Sequence, residues 1–405
     1  MNIIYITTVG FDTFGGNNHL NSALIEDFLK QGHKIHLIQS SYGDLNIVPE
    51  HLKNNNNFIF HSIRRGRINK RRLVLRAIDE IVYYNKVIKY ASILVDYDVI
   101  YYQSSGLSFY FVPKLLRKLK KNIVFNIQDL FPNSLQSTKK IFSKFLIKII
   151  MPFQIRMYNM VSKVIVISND IKNELLKYGI DEKKIHVVYN WYNEAEVYPI
   201  ELEHNRFANK YKMVKNKFVV QYAGNLGYVI DYDFIINLAK KLRNDLTITI
   251  QIIGNGSNKD QLKKRLAKAK LNNVEMYPIQ DQDIVRDVYS YGDLCFIPLK
   301  KGVIFHSVPS KASLALACSV PVLLICDESS DYAKLIIDNK VGFVTGNNNV
   351  DKAYQFIIGA NRKSDDYYIY KLNSVIFAER LLSRKQNTQK IINIIENIIV
   401  EKETE

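Results

Sequence analysis

The chain alternates short apolar runs with longer stretches of helical spacing, and it does so twice. Asn2–Thr8 is apolar and β-prone, Gly15-Gly16 breaks the chain, and His19–Lys30 has helical periodicity. Gly32-His33 stops that helix before a second strand at Lys34–Gln39. Further buried strands are expected at 58–62, 98–103, 123–128, 163–168 and 185–189, with helices at 71–95, 107–120, 137–161 and 169–178. Asn190–Asn216, polar and containing Pro199, interrupts the rhythm. Strands at 217–223, 247–253, 273–277, 293–298 and 320–325 then alternate with helices at 231–243, 258–270, 281–291, 309–317 and 329–338, and beyond about 350 only helices are expected. Apolar strands joined by helices imply parallel sheets covered on both faces. The expected class is α/β, with two doubly wound domains facing across a cleft and ligands at the carboxyl ends of the strands. The expected division is a first domain over 1–190, a linker over 191–216, a second domain over 217–360, and C-terminal helices over 361–405 packing back towards the first domain.

Composition supports this picture. At 405 residues, 47% apolar and 23% charged, the chain can bury two full cores. Cys295, Cys318 and Cys326 have neither paired nor metal-ligand spacing, which fits a reducing, cytoplasmic setting and no metal site. Met1–Tyr5 leads into a strand without the basic n-region of a secretory signal, and no apolar run reaches membrane-spanning length.

Charge adds something new. Of the net +17, residues 1–200 hold 27 Lys/Arg against 16 Asp/Glu, and residues 201–405 hold 29 against 23. Seven of the thirteen residues Arg64–Arg76 are basic, and Lys114–Lys163 holds eleven basic residues and one acid, Asp129. Lys140, Lys144 and Lys148 line one stripe of a helix otherwise rich in Ile141, Phe142, Phe145, Leu146, Ile149 and Ile150, which Pro152 is expected to kink or divide. Such a helix can lie on an anionic membrane surface; a core-packed helix with a solvated lysine edge is the competing reading. Nucleic acid is not an expected partner, because neither an aromatic RNA-binding signature nor a recognition helix is present.

The most informative stretch runs from Cys295-Phe296-Ile297-Pro298 through Lys300-Lys301-Gly302 to Pro309-Ser310-Lys311. A helix opening at Pro309-Ser310 offers unpaired N–H groups, and with Lys300, Lys301 and Lys311 nearby a phosphate-bearing ligand is expected. An ordinary strand-loop-helix with solvated lysines is the competing reading. Gly15-Gly16, Gly224-Asn225-Leu226-Gly227 and Gly254-Asn255-Gly256 each follow a strand, where glycine lets backbone approach a ligand. Asp129 follows another strand, placed to orient an acceptor hydroxyl or take its proton; a helix cap or salt bridge would use the same carboxylate.

Together with Gln128-Asp129-Leu130-Phe131-Pro132, Val164–Ser168, Gly179-Ile180, Val188–Trp191 and Pro321-Val322, these stretches, in this order and over nearly the whole chain, resemble the GT-B glycosyltransferases of family 4, most closely the capsule and O-antigen branch. The resemblance implies two Rossmann-like domains and retaining transfer with neither metal nor cofactor beyond the donor. The donor would be a UDP-sugar carrying an N-acetylamino sugar such as N-acetylfucosamine, and the acceptor a saccharide on a polyprenyl diphosphate lipid. It implies an enzyme in the cytoplasm, on the inner face of the cell membrane. Lys311 and Lys300 would hold the diphosphate with Ser310, Pro278 would lie at the nucleobase, and Asp129 would face the reacting sugar. His306 and Leu314 stand where the family often has glutamates eight residues apart, and Asn225 where arginine is usual. A non-catalytic binding or assembly protein and a sugar-nucleotide epimerase of the same fold are the other readings.

Overall fold

The computed structural model describes residues 1–12, 18–66, 68, 72–94, 96–134 and 141–403. The chain forms two compact units, Met1–Tyr189 with Asn387–Glu405, and Asn190–Gln386. The segment 190–216 thus counts with the second unit, and residues 387–405 with the first, where Thr388 Oγ1 donates to Asp27 Oδ2 at 2.8 Å.

The first unit is built on β1 (Asn2–Thr7), β2 (Lys34–Ser41), β3 (Phe58–Arg64), β4 (Val99–Gln103), β5 (Asn122–Ile127), β6 (Lys163–Val166) and β7 (Ile185–Val187). All pair in parallel in the order β3-β2-β1-β4-β5-β6-β7. The central strands are buried on both faces, so their apolar runs carry no alternation. The winding reverses between β1 and β4, and the crevice of a doubly wound sheet opens beyond the carboxyl ends of such a pair.

The second unit repeats the plan with β8 (Phe218–Ala223), β9 (Ile248–Ile253), β10 (Val274–Tyr277), β11 (Leu294–Pro298), β12 (Val322–Ile325) and β13 (Gly342–Thr345), in the order β10-β9-β8-β11-β12-β13 and again all parallel. Its switch point is β8/β11. Strand β13 has no counterpart in the sequence reading, since four residues beginning with glycine carry too little apolar signal.

At Pro152, where a kink or a division is expected, the helix is not divided and runs from Ile141 to Met160. The helix expected from 309 begins at Lys311, with Ser310 as its N-cap, and is only seven residues long. Among the described residues no helix is long and apolar enough to cross a membrane.

Candidate functional site

The β8/β11 switch point is where the second unit gathers its conspicuous residues. Strand β8 ends at Ala223 and is followed by Gly224, whose φ of +143° suits a residue without a side chain. A methyl carbon there would stand 2.3 Å from Lys311 Cε and 3.0 Å from its Nζ, so the lysine arm lies directly on the glycine. The ammonium is 5.3 Å from the centroid of the Tyr222 ring, a favourable cation–π contact. Among the described residues Lys311 has no carboxylate partner. Burial pushes its pKa below the ordinary lysine value, and the Cys295 thiol beneath it pulls the other way. Burial also raises that thiol to about 12, which keeps it protonated and inert.

The neighbouring strand end locks into this turn. Gly224 N–H donates to Ile253 O at 2.8 Å and Leu226 N–H to Asn255 O at 2.8 Å. Gly254, with φ of +153°, leaves no room at all, because a methyl carbon there would stand 2.0 Å from the Gly224 carbonyl oxygen. Gly256 N–H meets Asn255 Oδ1 at 2.9 Å, while the Gly227 carbonyl accepts from Tyr232 Oη at 2.9 Å. Asn225 takes part through its carbonyl, which accepts from Tyr222 Oη at 2.6 Å. Gly224, Asn225, Gly227, Gly254, Gly256 and Lys311 are therefore one constellation.

The remaining candidates are placed differently. Lys300 turns its ammonium to the Tyr228 carbonyl and its N–H to Val229 O, so it anchors the loop after β11. Ser310 is exposed, and its hydroxyl does not cap the helix it precedes. His306 closes the short turn Val303–Phe305. Leu314, half-buried, follows Lys311 by one helical turn. Pro278 is exposed beyond β10, and its carbonyl accepts from Gln280 Nε2 at 2.7 Å. In the first unit Asp129 is exposed just beyond β5, on a loop held by Gln128 N–H to Ser104 Oγ at 3.2 Å and Gln128 Nε2 to Asn126 Oδ1 at 3.1 Å. Gly15 and Gly16 lie outside the described residues.

Sequence reasoning missed Tyr222 and Asp327. Tyr222 stands two residues before Gly224, next to Gln221 on a mostly apolar strand, and signals little by itself. Asp327 accepts from Gly302 N–H at 2.5 Å and ties the lysine-bearing loop to the end of β12. Its position just past a strand was the one available signal.

A half-buried ammonium without a carboxylate partner among the described residues has a measurable signature. An anion would favour the charged form, so binding of inorganic diphosphate should draw a proton onto Lys311 at alkaline pH, and its affinity should fall as pH rises through the lowered pKa. Calorimetry of diphosphate binding in two buffers of different ionisation enthalpy should show proton uptake in that window, and Lys311→Arg should abolish it. Stability without ligand should move oppositely. The unfolded chain binds the proton more tightly, so stability rises with pH between the lowered pKa and the ordinary value of 10.5.

Comparison with known proteins agrees with the two-unit fold. The model Glycosyltransferase Family 4 matches residues 14–196, and Glycosyl transferases group 1 matches residues 204–360. Probable glycosyltransferase WbjE of Pseudomonas aeruginosa is 24% identical over 189 residues, 46% of this chain and 46% of that protein. Putative colanic acid biosynthesis glycosyl transferase WcaI of Escherichia coli (strain K12) is 24% identical over 176 residues, 43% of each. The matches thus span less than half the length of these curated relatives. Among solved structures, Anabaena Alr3699/HepE in complex with UDP and glucose superposes with a TM-score of 0.73 at 15% identity, over 98% of this chain and 100% of that one. Sucrose-phosphate synthase from Thermosynechococcus elongatus gives 0.79 at 12% identity over 99% of each chain, a likeness of fold. With two doubly wound units, each under its own model, the chain belongs to the GT-B glycosyltransferases of family 4.

Proposed function

We propose that the protein moves a sugar, an N-acetylamino sugar such as N-acetylfucosamine, from a UDP donor to a lipid-linked saccharide during bacterial capsule or O-antigen synthesis, with retention of configuration and without a metal. The observation that carries this reading is the half-buried Lys311 ammonium lying on Gly224, without a carboxylate partner among the described residues. A buried charge is costly unless paired, so the site is built for an anion. Charge developing on a departing diphosphate is what an ammonium in a dry, fixed position stabilises, a role a divalent ion fills elsewhere. The glycine turns Gly224–Gly227 and Gly254–Gly256 give the donor room beside it, and Asp129 of the first unit orients the acceptor hydroxyl or takes its proton. The solved neighbour with UDP and glucose and the relative named for colanic acid biosynthesis support the donor and the polysaccharide setting. Incubation with membrane extract and labelled UDP-sugars should give transfer to lipid-extractable material that survives EDTA. Neither transfer nor donor hydrolysis with any nucleotide sugar would refute the reading.

Leu314, at a position where the family often has a glutamate, favours a second reading, a binding or assembly protein that holds nucleotide sugar without turnover. UDP-sugar binding by calorimetry with no product under any acceptor condition would select it. Product analysis with donor alone separates an epimerase.

The acceptor side implies work at the inner face of an anionic membrane. On the helix Ile141–Met160, Phe145 (63% exposed), Ile149 and Phe153 (58%) face outward beside Lys148 and Arg156. On the helix Leu73–Ala91, Val74 (73%), Ile78 and Val82 do so beside Arg76, Lys86 and Lys89. Lys140 lies outside the described residues, as does the side chain of Lys144. Aromatic and aliphatic stripes with basic flanks suit the interface of acidic lipid. Phe145→Ser/Ile149→Ser/Phe153→Ser should cut co-sedimentation with phosphatidylglycerol vesicles at least ten-fold and leave UDP binding unchanged.

A further inference from the structure

One face of the second sheet is polar where parallel sheets are ordinarily apolar. The registers Val219↔Thr249, Gln221↔Gln251 and Gln251↔Glu275 place Thr249, Gln221, Gln251 and Glu275 side by side on β8, β9 and β10. The opposite face of β9 carries Ile248, Ile250 and Ile252. Over the polar face lies a cavity of about 360 Å³, walled by Tyr277, Tyr291 and the segment 211–217. Its lining residues Val219, Thr249 and Glu275 lie in the amino-terminal halves of β8, β9 and β10, whereas Gly224 follows the carboxyl end of β8.

The floor has unused hydrogen-bonding capacity. Gln251 is 2% exposed, lines the cavity, and has a buried Oε1 with no hydrogen-bond partner among the described residues. Beside it, Glu275 Oε2 accepts from Tyr277 Oη at 2.9 Å and Gln251 Nε2 at 3.3 Å, while Oε1 has only a long contact of 3.4 Å from Thr249 Oγ1. A buried acceptor without a donor costs free energy, so a side chain kept this way marks a place for a ligand that donates. Charge narrows its class. The Glu275 carboxylate on the floor opposes an anion, and the Lys212 and Lys217 ammonium groups at the rim oppose a cation. A neutral molecule with several hydroxyls satisfies both, donating to Gln251 and Glu275 while its C–H face lies against a tyrosine ring.

We infer that this cavity is a second saccharide site, separate from the donor site, which takes a neutral mono- or disaccharide unit. Saturation-transfer NMR on the full chain with saturating UDP, using glucose, galactose and N-acetylglucosamine as probes, tests it. Ring protons of at least one sugar should receive saturation, and Glu275→Gln and Thr249→Val should each weaken that sugar's binding at least five-fold with UDP affinity unchanged. Lys311→Ala should leave sugar binding intact, which separates this site's failure from that of the donor site. Hydrogen exchange of the native protein should show added protection over 211–217 with the sugar, a readout that needs no variant. No transfer from any probe, binding indifferent to both variants, or a preference for inorganic phosphate or spermidine would overturn the inference and leave a water-filled groove.

Discussion

Lys311→Met is expected to lower transfer by about 100-fold or more, the scale on which a single electrostatic donor acts in a transition state. It should also abolish the rise in melting temperature that a UDP-sugar gives the native protein. Methionine keeps an unbranched arm of similar length over Gly224 and removes only the charge, so packing is largely preserved. Without ligand the variant should be as stable as the native protein or more so, because a desolvated ammonium with no carboxylate partner is replaced by an apolar group. Loss of function with stability retained distinguishes a charge kept for a ligand from one kept for the fold. Turnover at saturating donor, read beside a thermal scan, checks both halves. Native activity in Lys311→Met would remove the basis of the proposed diphosphate site.

Gly224→Ala should have the next largest effect, and its cause is steric. The added methyl would meet Lys311 Cε at 2.3 Å on backbone with φ of +143°, a conformation that costs a side chain about 1–3 kcal/mol. The obstructing atom belongs to a flexible arm, so the fold should survive while the ammonium swings away from Tyr222. UDP affinity is then expected to fall at least ten-fold for a modest loss of stability. Gly254→Ala provides the contrast. Its methyl would meet the Gly224 carbonyl oxygen at 2.0 Å, and backbone locked by the β8–β9 hydrogen bonds cannot yield, so stability should fall more than in Gly224→Ala. Urea titrations of the two variants beside UDP titrations check the ordering. Equal stability losses would mean that Lys311 is held as rigidly as backbone.

Much of this architecture was legible in the chain because a parallel sheet buried on both faces leaves uninterrupted apolar runs such as Ile3–Ile6 and Val322–Ile325. Strand β13 escaped because a four-residue strand opening on glycine leaves no such trace. At Pro152 the helix continues, and buried Gln154, Met157 and Tyr158 hold the turns that follow the lost backbone hydrogen bond. In the candidate site, Lys300 and Lys311 looked alike as two lysines near one loop. The fold separates them, giving one to the Tyr228 carbonyl and the other to the face of Gly224.

What the sequence by itself determined was the order of strands and helices, the glycines at the strand ends, and the excess of positive charge in the first half. These follow from periodicity, backbone freedom and composition, which are local properties. Only the tertiary structure decided which of those residues meet. The β8/β11 reversal brings Lys311 across some ninety positions to Gly224, and the parallel register aligns Gln251 with Glu275 to make a polar floor. Contacts between residues distant in sequence depend on sheet order and register. One lysine among 56 basic residues becomes distinctive only when partial burial strips water from it and leaves its charge, among the described residues, without a carboxylate partner.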